Sequence, residues 1–88
     1  MELKELHVYK LKVGLFAHRF NSPSNIFGVG SMVLPGSLCW LDQITEDDWA
    51  IFGLFGEEYS GTYVKCPVYL AGEQLEKTGE ILEEKTKS

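Results

Sequence analysis

Apolar and polar residues alternate along the first part of the chain, and this period of two predicts a β-strand from Leu6 to Ala17. The odd positions form its apolar face, which consists of Tyr9, Leu11, Val13, Leu15 and Ala17. Lys10 and Lys12 lie on the opposite face. A turn is predicted over residues 21–25, because Asn and Ser favour turns and Pro23 cannot donate to a sheet ladder.

Two further strands are predicted on either side of Pro35 and Gly36, the first over Ile26–Leu34 and the second over Ser37–Leu41. Proline and glycine are the residue types that a type II turn prefers at its two central positions. The two strands are therefore predicted to pair as a hairpin.

The segment after Ile44 carries the signals of a helix start. Thr45 is a suitable N-cap, because its hydroxyl can accept a hydrogen bond from the first turn. Three carboxylates follow it and face the positive end of the helix dipole: Glu46, Asp47 and Asp48. Since Gly56 suits the position just past a helix end, a short helix is predicted from about Glu46 to Phe55.

This predicted helix has no polar side, because Trp49–Phe55 contains apolar residues and glycine alone. The helix is predicted either to lie across the sheet under covering loops or to leave one face exposed that contacts another molecule, since a small domain rarely buries a helix on every side. A strand over Ala50–Leu54 is the alternative, because short apolar runs do not distinguish helix from strand by periodicity.

A last strand is predicted from Thr62 to Ala71, with its inward face at even positions: Val64, Cys66, Val68 and Leu70. Pro67 lies on the other face and predicts an edge strand or a bulge. A short strand or turn near Glu80–Leu82 and a charged tail complete the chain.

These elements predict an α+β fold, with a small antiparallel sheet or partly open barrel of four to five strands and one short helix packed on it. Residues 1–79 are predicted to form a single domain, and residues 80–88 a partly ordered charged tail.

Charge is unevenly distributed over the 88 residues, whose formal net charge is −5. No Lys or Arg occurs between Arg19 and Lys65, and all the charged residues of that interval are acidic: Asp42, Glu46, Asp47, Asp48, Glu57 and Glu58. A region of one sign attracts basic partners and disfavours phosphate backbones.

No group of residues has the spacing that a catalytic, metal or cofactor site requires. His7, His18, Cys39 and Cys66 are the potential zinc ligands, but no two of them form a close pair of the kind that structural zinc sites contain. The two cysteines are expected to be small buried hydrophobic residues. The sequence therefore predicts a protein that is not an enzyme and has no metal or cofactor.

The charge pattern favours an interaction protein, either an inhibitor or an adaptor, and in one form an acidic mimic that occupies a basic surface of a host enzyme. Its predicted partner-binding residues are acidic or aromatic: Asp42, Glu46, Asp47, Asp48, Trp49, Phe52, Glu57, Glu58 and Tyr59. A homodimer is also expected.

The alternative is a module that binds nucleic acid or a small ligand through the basic and aromatic face of the first strand. The residues of that face are Lys10, Lys12, Phe16, His18 and Phe20. No signal peptide and no membrane span are visible. A cytoplasmic location is expected, or the host cytoplasm if the protein is of viral origin.

Overall fold

A computed structural model of the chain describes residues 1–19, 32–56 and 61–82. The elements within these ranges are mostly strands. In chain order they are β1 (His7–Leu11), β2 (Leu15–Phe16), β3 (His18–Arg19), β4 (Met32–Val33), β5 (Leu38–Ile44), β6 (Trp49–Leu54), β7 (Thr62–Pro67), a 3-10 turn (Val68–Leu70), α1 (Ala71–Gln74) and β8 (Leu75–Ile81).

The main sheet is antiparallel, and its strand order is β3–β7–β6–β5–β1–β8. Five of these strands have five or more residues, and the two-residue β3 lies at one edge. The described residues contain no pairing between β3 and β8, so the sheet stays open. A separate ribbon is formed by β2 and β4. The predicted α+β fold with a small antiparallel sheet is confirmed.

The core lies on one face of the main sheet, where the β2–β4 ribbon and α1 cover it. Alternate residues of the long strands supply most of it, because burial of apolar surface fixes which side of each strand faces inward. Its buried members are Tyr9, Leu11, Ala17, Val33, Cys39, Leu41, Ala50, Phe52, Val64, Cys66, Ala71 and Leu75. The predicted inward positions of β1 and β7 are among them.

The first predicted strand is broken where the chain leaves the main sheet. β1 ends at Leu11, and Leu15 then begins the ribbon that folds over the core. At this break, a Cβ on Gly14 would lie 2.8 Å from the sulfur of Met32, which is too close for any other residue without rearrangement. The inward face nevertheless resumes in phase, since Ala17 is buried.

The predicted helix over Glu46–Phe55 is wrong. Residues 45–48 form a turn, and Trp49–Leu54 is the strand β6, in the middle of the sheet between β5 and β7. Thr and Asp favour both helix N-caps and turns, because their side chains accept hydrogen bonds from nearby backbone N–H groups. The apolar run that follows is stabilised as a strand by its pairing with β5 and β7. The local sequence pattern does not contain this information.

The single α-helix of the described chain is instead the four-residue α1, Ala71–Gln74. The predicted strand Thr62–Ala71 ends earlier, at Pro67, where the 3-10 turn begins. Beyond Tyr63, β7 has a strand neighbour on one side only. Pro67 therefore lies at an edge of the sheet, as predicted. Because no strand lies on its other side, the missing N–H of proline removes no hydrogen bond between strands.

The turn at Pro35 is confirmed, but the hairpin is wrong. Ser37 N–H donates to the Leu34 carbonyl (3.2 Å) and Gly36 has a φ of +94°, as a type II turn requires. However, β4 pairs with β2, and β5 pairs with β1 and β6. Residues 26–31 of the predicted strand lie outside the described residues.

The second edge of the sheet is β8, which pairs with β1 from Leu75 to Ile81. It is longer than the short strand predicted near Glu80–Leu82. Its side chains are mostly exposed, and Glu76, Lys77 and Glu80 place charges along this edge. Such charges disfavour pairing with a further strand.

Candidate functional site

Four of the predicted acidic residues lie on the β5–β6 hairpin, Asp42 within β5 and the other three in the loop. Thr45 N–H donates to the Trp49 carbonyl (2.8 Å), and Asp48 N–H donates to the Thr45 carbonyl (3.0 Å). The Thr45 hydroxyl also accepts a hydrogen bond from Trp49 N–H (3.2 Å). Glu46 and Asp47 thus occupy the outermost positions of a three-residue hairpin loop. We call Asp42, Glu46, Asp47, Asp48 and Trp49 the acidic hairpin end.

Backbone contacts fix the shape of this loop. Asp48 has a φ of +63°, the left-handed conformation that closes a three-residue hairpin loop and that Asp tolerates better than most residues. Its carbonyl accepts a hydrogen bond from Val68 N–H (2.9 Å), which joins the loop to the 3-10 turn after β7. The loop therefore presents its side chains from a defined backbone.

The four carboxylates of the acidic hairpin end are all exposed. Within the described ranges, none of them forms an ion pair with a basic side chain. Three of them are consecutive in sequence, so their charges are close together and repel one another. A basic partner would relieve this repulsion.

Trp49 gives the acidic hairpin end an aromatic component. It lies on the sheet face opposite the core and is 36% exposed. Lys65 Nζ is 4.8 Å from its ring centroid, a cation–π contact, and Pro67 lies directly opposite it on β7. One region of the indole is thus already used by a cation, and another part remains open to solvent.

Phe52, another predicted partner-binding residue, does not join this surface. Phe52 is fully buried in the core, where its ring makes an edge-to-face contact with Tyr9 at 5.8 Å between centroids. Glu57, Glu58 and Tyr59 lie outside the described residues.

The four described residues of the alternative ligand face are dispersed. Lys10 lies on β1 and His18 on β3, with three strands between them in the sheet. Lys12 Nζ donates to the Gly72 carbonyl (3.1 Å), and Phe16 is on the separate ribbon. Phe20 lies outside the described residues. The break in the first strand thus separates side chains that one continuous strand would have aligned.

Burial favours the neutral forms of the two thiols and of the His18 imidazole. Burial, with a smaller contribution from Cys66, raises the pKa of Cys39 to about 12, and burial raises the pKa of Cys66 to about 11. Burial and then the charge of Lys65 lower the pKa of His18. Because a thiol reacts as its thiolate, neither cysteine has the properties of a nucleophile.

Sequence reasoning missed an exposed aromatic residue beside the acidic hairpin end. Tyr69 lies in the 3-10 turn, two residues beyond Pro67, and is 81% exposed. Tyr69 has an odd number, and the odd positions of the predicted strand Thr62–Ala71 face outward. This parity is the signal in the sequence that indicates an exposed side chain. Trp40 was also missed: its indole lies over Gly53, on the sheet face that carries Trp49.

Comparisons with known proteins do not assign the chain to a class. No family model matches it, and no match was found among curated proteins or solved structures. In the described ranges, no group of three or more His, Cys, Asp or Glu residues is arranged to hold a metal ion. No helix of those ranges has the length and apolar character needed to cross a membrane.

Proposed function

We propose that the protein is a non-enzymatic binding module, an inhibitor or an adaptor, that contacts a basic surface of a protein partner through the acidic hairpin end. A form of this proposal is an acidic mimic that occupies a basic groove of a host enzyme. The proposal places the activity in the cytoplasm, or in the cytoplasm of a host.

One observation carries this proposal: Glu46, Asp47 and Asp48 are consecutive, exposed and without ion pairs among the described residues, on a loop whose backbone is hydrogen-bonded at both ends. A fixed loop loses little conformational freedom when it binds. Trp49 beside it belongs to a residue type that is enriched among the energetic anchors of interfaces. A polar rim around an aromatic anchor is the usual anatomy of a protein interface.

A capture experiment tests the proposal. Tagged wild-type protein and the Glu46→Lys/Asp47→Lys double variant would be used as bait in extracts of the native cell or host, followed by mass spectrometry. Asp48 is left unchanged because its φ of +63° and its carbonyl are part of the loop structure. We expect the double variant to lose basic proteins that the wild type retains, and to lose them most clearly at low salt.

A matched control separates a local effect from net charge. Glu76→Lys/Glu80→Lys changes the charge by the same amount, but on the edge strand β8. Loss of the same proteins from both variants would show that only net charge matters. Retention of all proteins by the hairpin variant would contradict the proposal.

The structure lends less support to the nucleic-acid alternative, because Lys10, Phe16 and His18 lie on different parts of the fold. A mobility-shift titration with single strands at low salt is its test, and binding that survives in the hairpin variant would favour it.

We also propose that the protein forms a homodimer. The outer side of the β2–β4 ribbon exposes neighbouring apolar side chains: Phe16, Met32 and Leu34. Light scattering over a range of concentrations tests this, with Leu34→Glu as the variant expected to remain monomeric. A wild-type protein that is strictly monomeric at high concentration would contradict it.

A further inference from the structure

We infer that the partner element which contacts the acidic hairpin end is an extended, arginine-containing peptide segment, recognised by the exposed rings of Trp49 and Tyr69 together with the neighbouring carboxylates. This inference rests on the proposed function, because it specifies the chemistry of the partner at the same surface.

The apolar part of the surface lies where two segments meet at one end of the sheet. Trp49 opens β6 and pairs directly with Pro67 at the end of β7. Tyr69 follows in the 3-10 turn, which the hydrogen bond from Val68 N–H to the Asp48 carbonyl holds against the hairpin loop. Val68 packs on the core, so its exposed neighbour Tyr69 projects on a different side of the turn. Two aromatic residues and a proline thus lie beside the carboxylates.

Charge complementarity selects the partner. The carboxylates of this surface have no ion-pair partner within the described ranges, whereas Lys65 lies over the Trp49 ring and shows that this ring accepts a cation. A guanidinium group satisfies both components at once, because its plane stacks on aromatic rings while its N–H groups donate to a carboxylate in a forked geometry. An ammonium group is a strongly hydrated point charge that cannot do both equally well.

An extended segment fits this surface better than a flat protein face. The exposed Tyr69 ring and the loop carboxylates project from two different segments that meet at one end of the sheet. An extended peptide places successive side chains on alternate sides and can follow such a surface without a matching fold.

The test uses two capped hexapeptides, hexa-arginine and hexa-lysine, which carry the same charge. Each is titrated into the full chain by calorimetry at low and at moderate salt. We expect hexa-arginine to bind about two- to five-fold more tightly, because a guanidinium can stack on a ring and donate to a carboxylate at once, and this adds roughly the equivalent of one more weak contact. Tyr69→Ala and Trp49→Ala are expected to remove this preference.

Phe55→Ala is the matched control, because Phe55 is also an exposed aromatic residue, at 41%, but follows β6 at the end opposite Trp49. It is expected to keep the arginine preference. Tyr69→Ala carries the test even if Trp49→Ala destabilises the hairpin, since an 81% exposed side chain contributes little to the fold.

The outcomes separate this inference from the proposed function. Equal binding of the two peptides, lost in Glu46→Lys/Asp47→Lys, would overturn the arginine inference and leave the acidic hairpin end as a binding surface. A preference for hexa-arginine that persists in both aromatic variants would also overturn it. Failure of both peptides to bind at low salt would overturn the peptide inference, and the capture experiment would then decide the proposed function independently.

Discussion

Gly53 allows Trp40 to lie flat on the sheet, and Gly53→Ala should therefore destabilise the protein. Gly53 is on β6, paired with Trp40 on β5 and with Tyr63 on β7. A Cβ at this position would overlap Cζ2 of Trp40, and would lie 2.5 Å from its Cε2 and 3.0 Å from its Cη2. The ring cannot stay in place if any side chain is added beneath it.

Two effects of opposite sign determine the size of the change. Replacing glycine by alanine at an ordinary backbone conformation stabilises a protein by about 0.4–1 kcal/mol, because the unfolded chain loses freedom. Forcing a packed side chain out of place costs about 1–3 kcal/mol. We expect the clash to dominate and the free energy of unfolding to fall by about 1–2 kcal/mol, which lowers the melting temperature by roughly 5–15 °C in a domain of this size.

Urea unfolding followed by circular dichroism and by tryptophan fluorescence measures this change. Gly72→Ala is the control, since a Cβ there would meet Met1 Cβ at an ordinary 3.7 Å. In a double-mutant cycle, Gly53→Ala should cost much less in the Trp40→Leu background. Unchanged or increased stability of Gly53→Ala, or an equal cost in both backgrounds, would refute the role assigned to the Trp40 ring.

Three other predictions concern the loop and the titratable groups. Asp48→Ala should lower the unfolding free energy by about 1 kcal/mol relative to Asp48→Gly, because of the positive φ; equal thermal melts would contradict this. Since the pKa values of Cys39 and Cys66 are raised to about 12 and about 11 from an ordinary 9.0, stability should fall as pH rises from about 9 to 12. Ellman's reagent at pH 8 should then modify these thiols only after denaturation, and rapid modification of the native protein would be the contrary result. The pKa of His18 is lowered from 6.5 by burial and by the charge of Lys65, so the contribution of His18 to stability is present above pH 6.5 and is lost as pH falls. Lys65→Met should raise this pKa in an NMR titration. An unchanged pKa would exclude a contribution from the Lys65 charge.

The faces of the strands could be predicted from sequence because burial is a local property of alternation. Tyr9 and Leu11 in β1, and Val64 and Cys66 in β7, lie in the core as their spacing indicates. Strand pairing could not be predicted in the same way. The turn at Gly36 has the expected conformation, but the strand that precedes it pairs with β2 rather than with the strand that follows. Only contacts distant in sequence decide between those partners.

The acidic residues of the candidate site could be predicted because exposed charge is visible in the sequence itself. Tyr69 could not be assigned to the same site, because its position beside the hairpin loop depends on the hydrogen bond between Val68 and Asp48, which are twenty residues apart in sequence. The fold supplies this juxtaposition, and no local pattern contains it.

The composition of the candidate site depends on whether the β6 segment has the period of a helix, as predicted, or that of a strand, as found. In a helix, Trp49 and Phe52 are three residues apart and share a face, so both would belong to one aromatic surface. In a strand, the same separation puts them on opposite faces. The structure therefore buries Ala50 and Phe52 in the core while Trp49, on the other face, keeps 36% of its surface exposed. Ile51 shares the face of Trp49 but is buried, at 8%. A domain of this size does cover most of the apolar run, because a central strand has a neighbour on each side. The two ends of the run stay exposed, Trp49 at 36% and Phe55 at 41%. The hairpin places Trp49 beside the carboxylates, where the proposed contact with a basic partner would use it as an aromatic anchor.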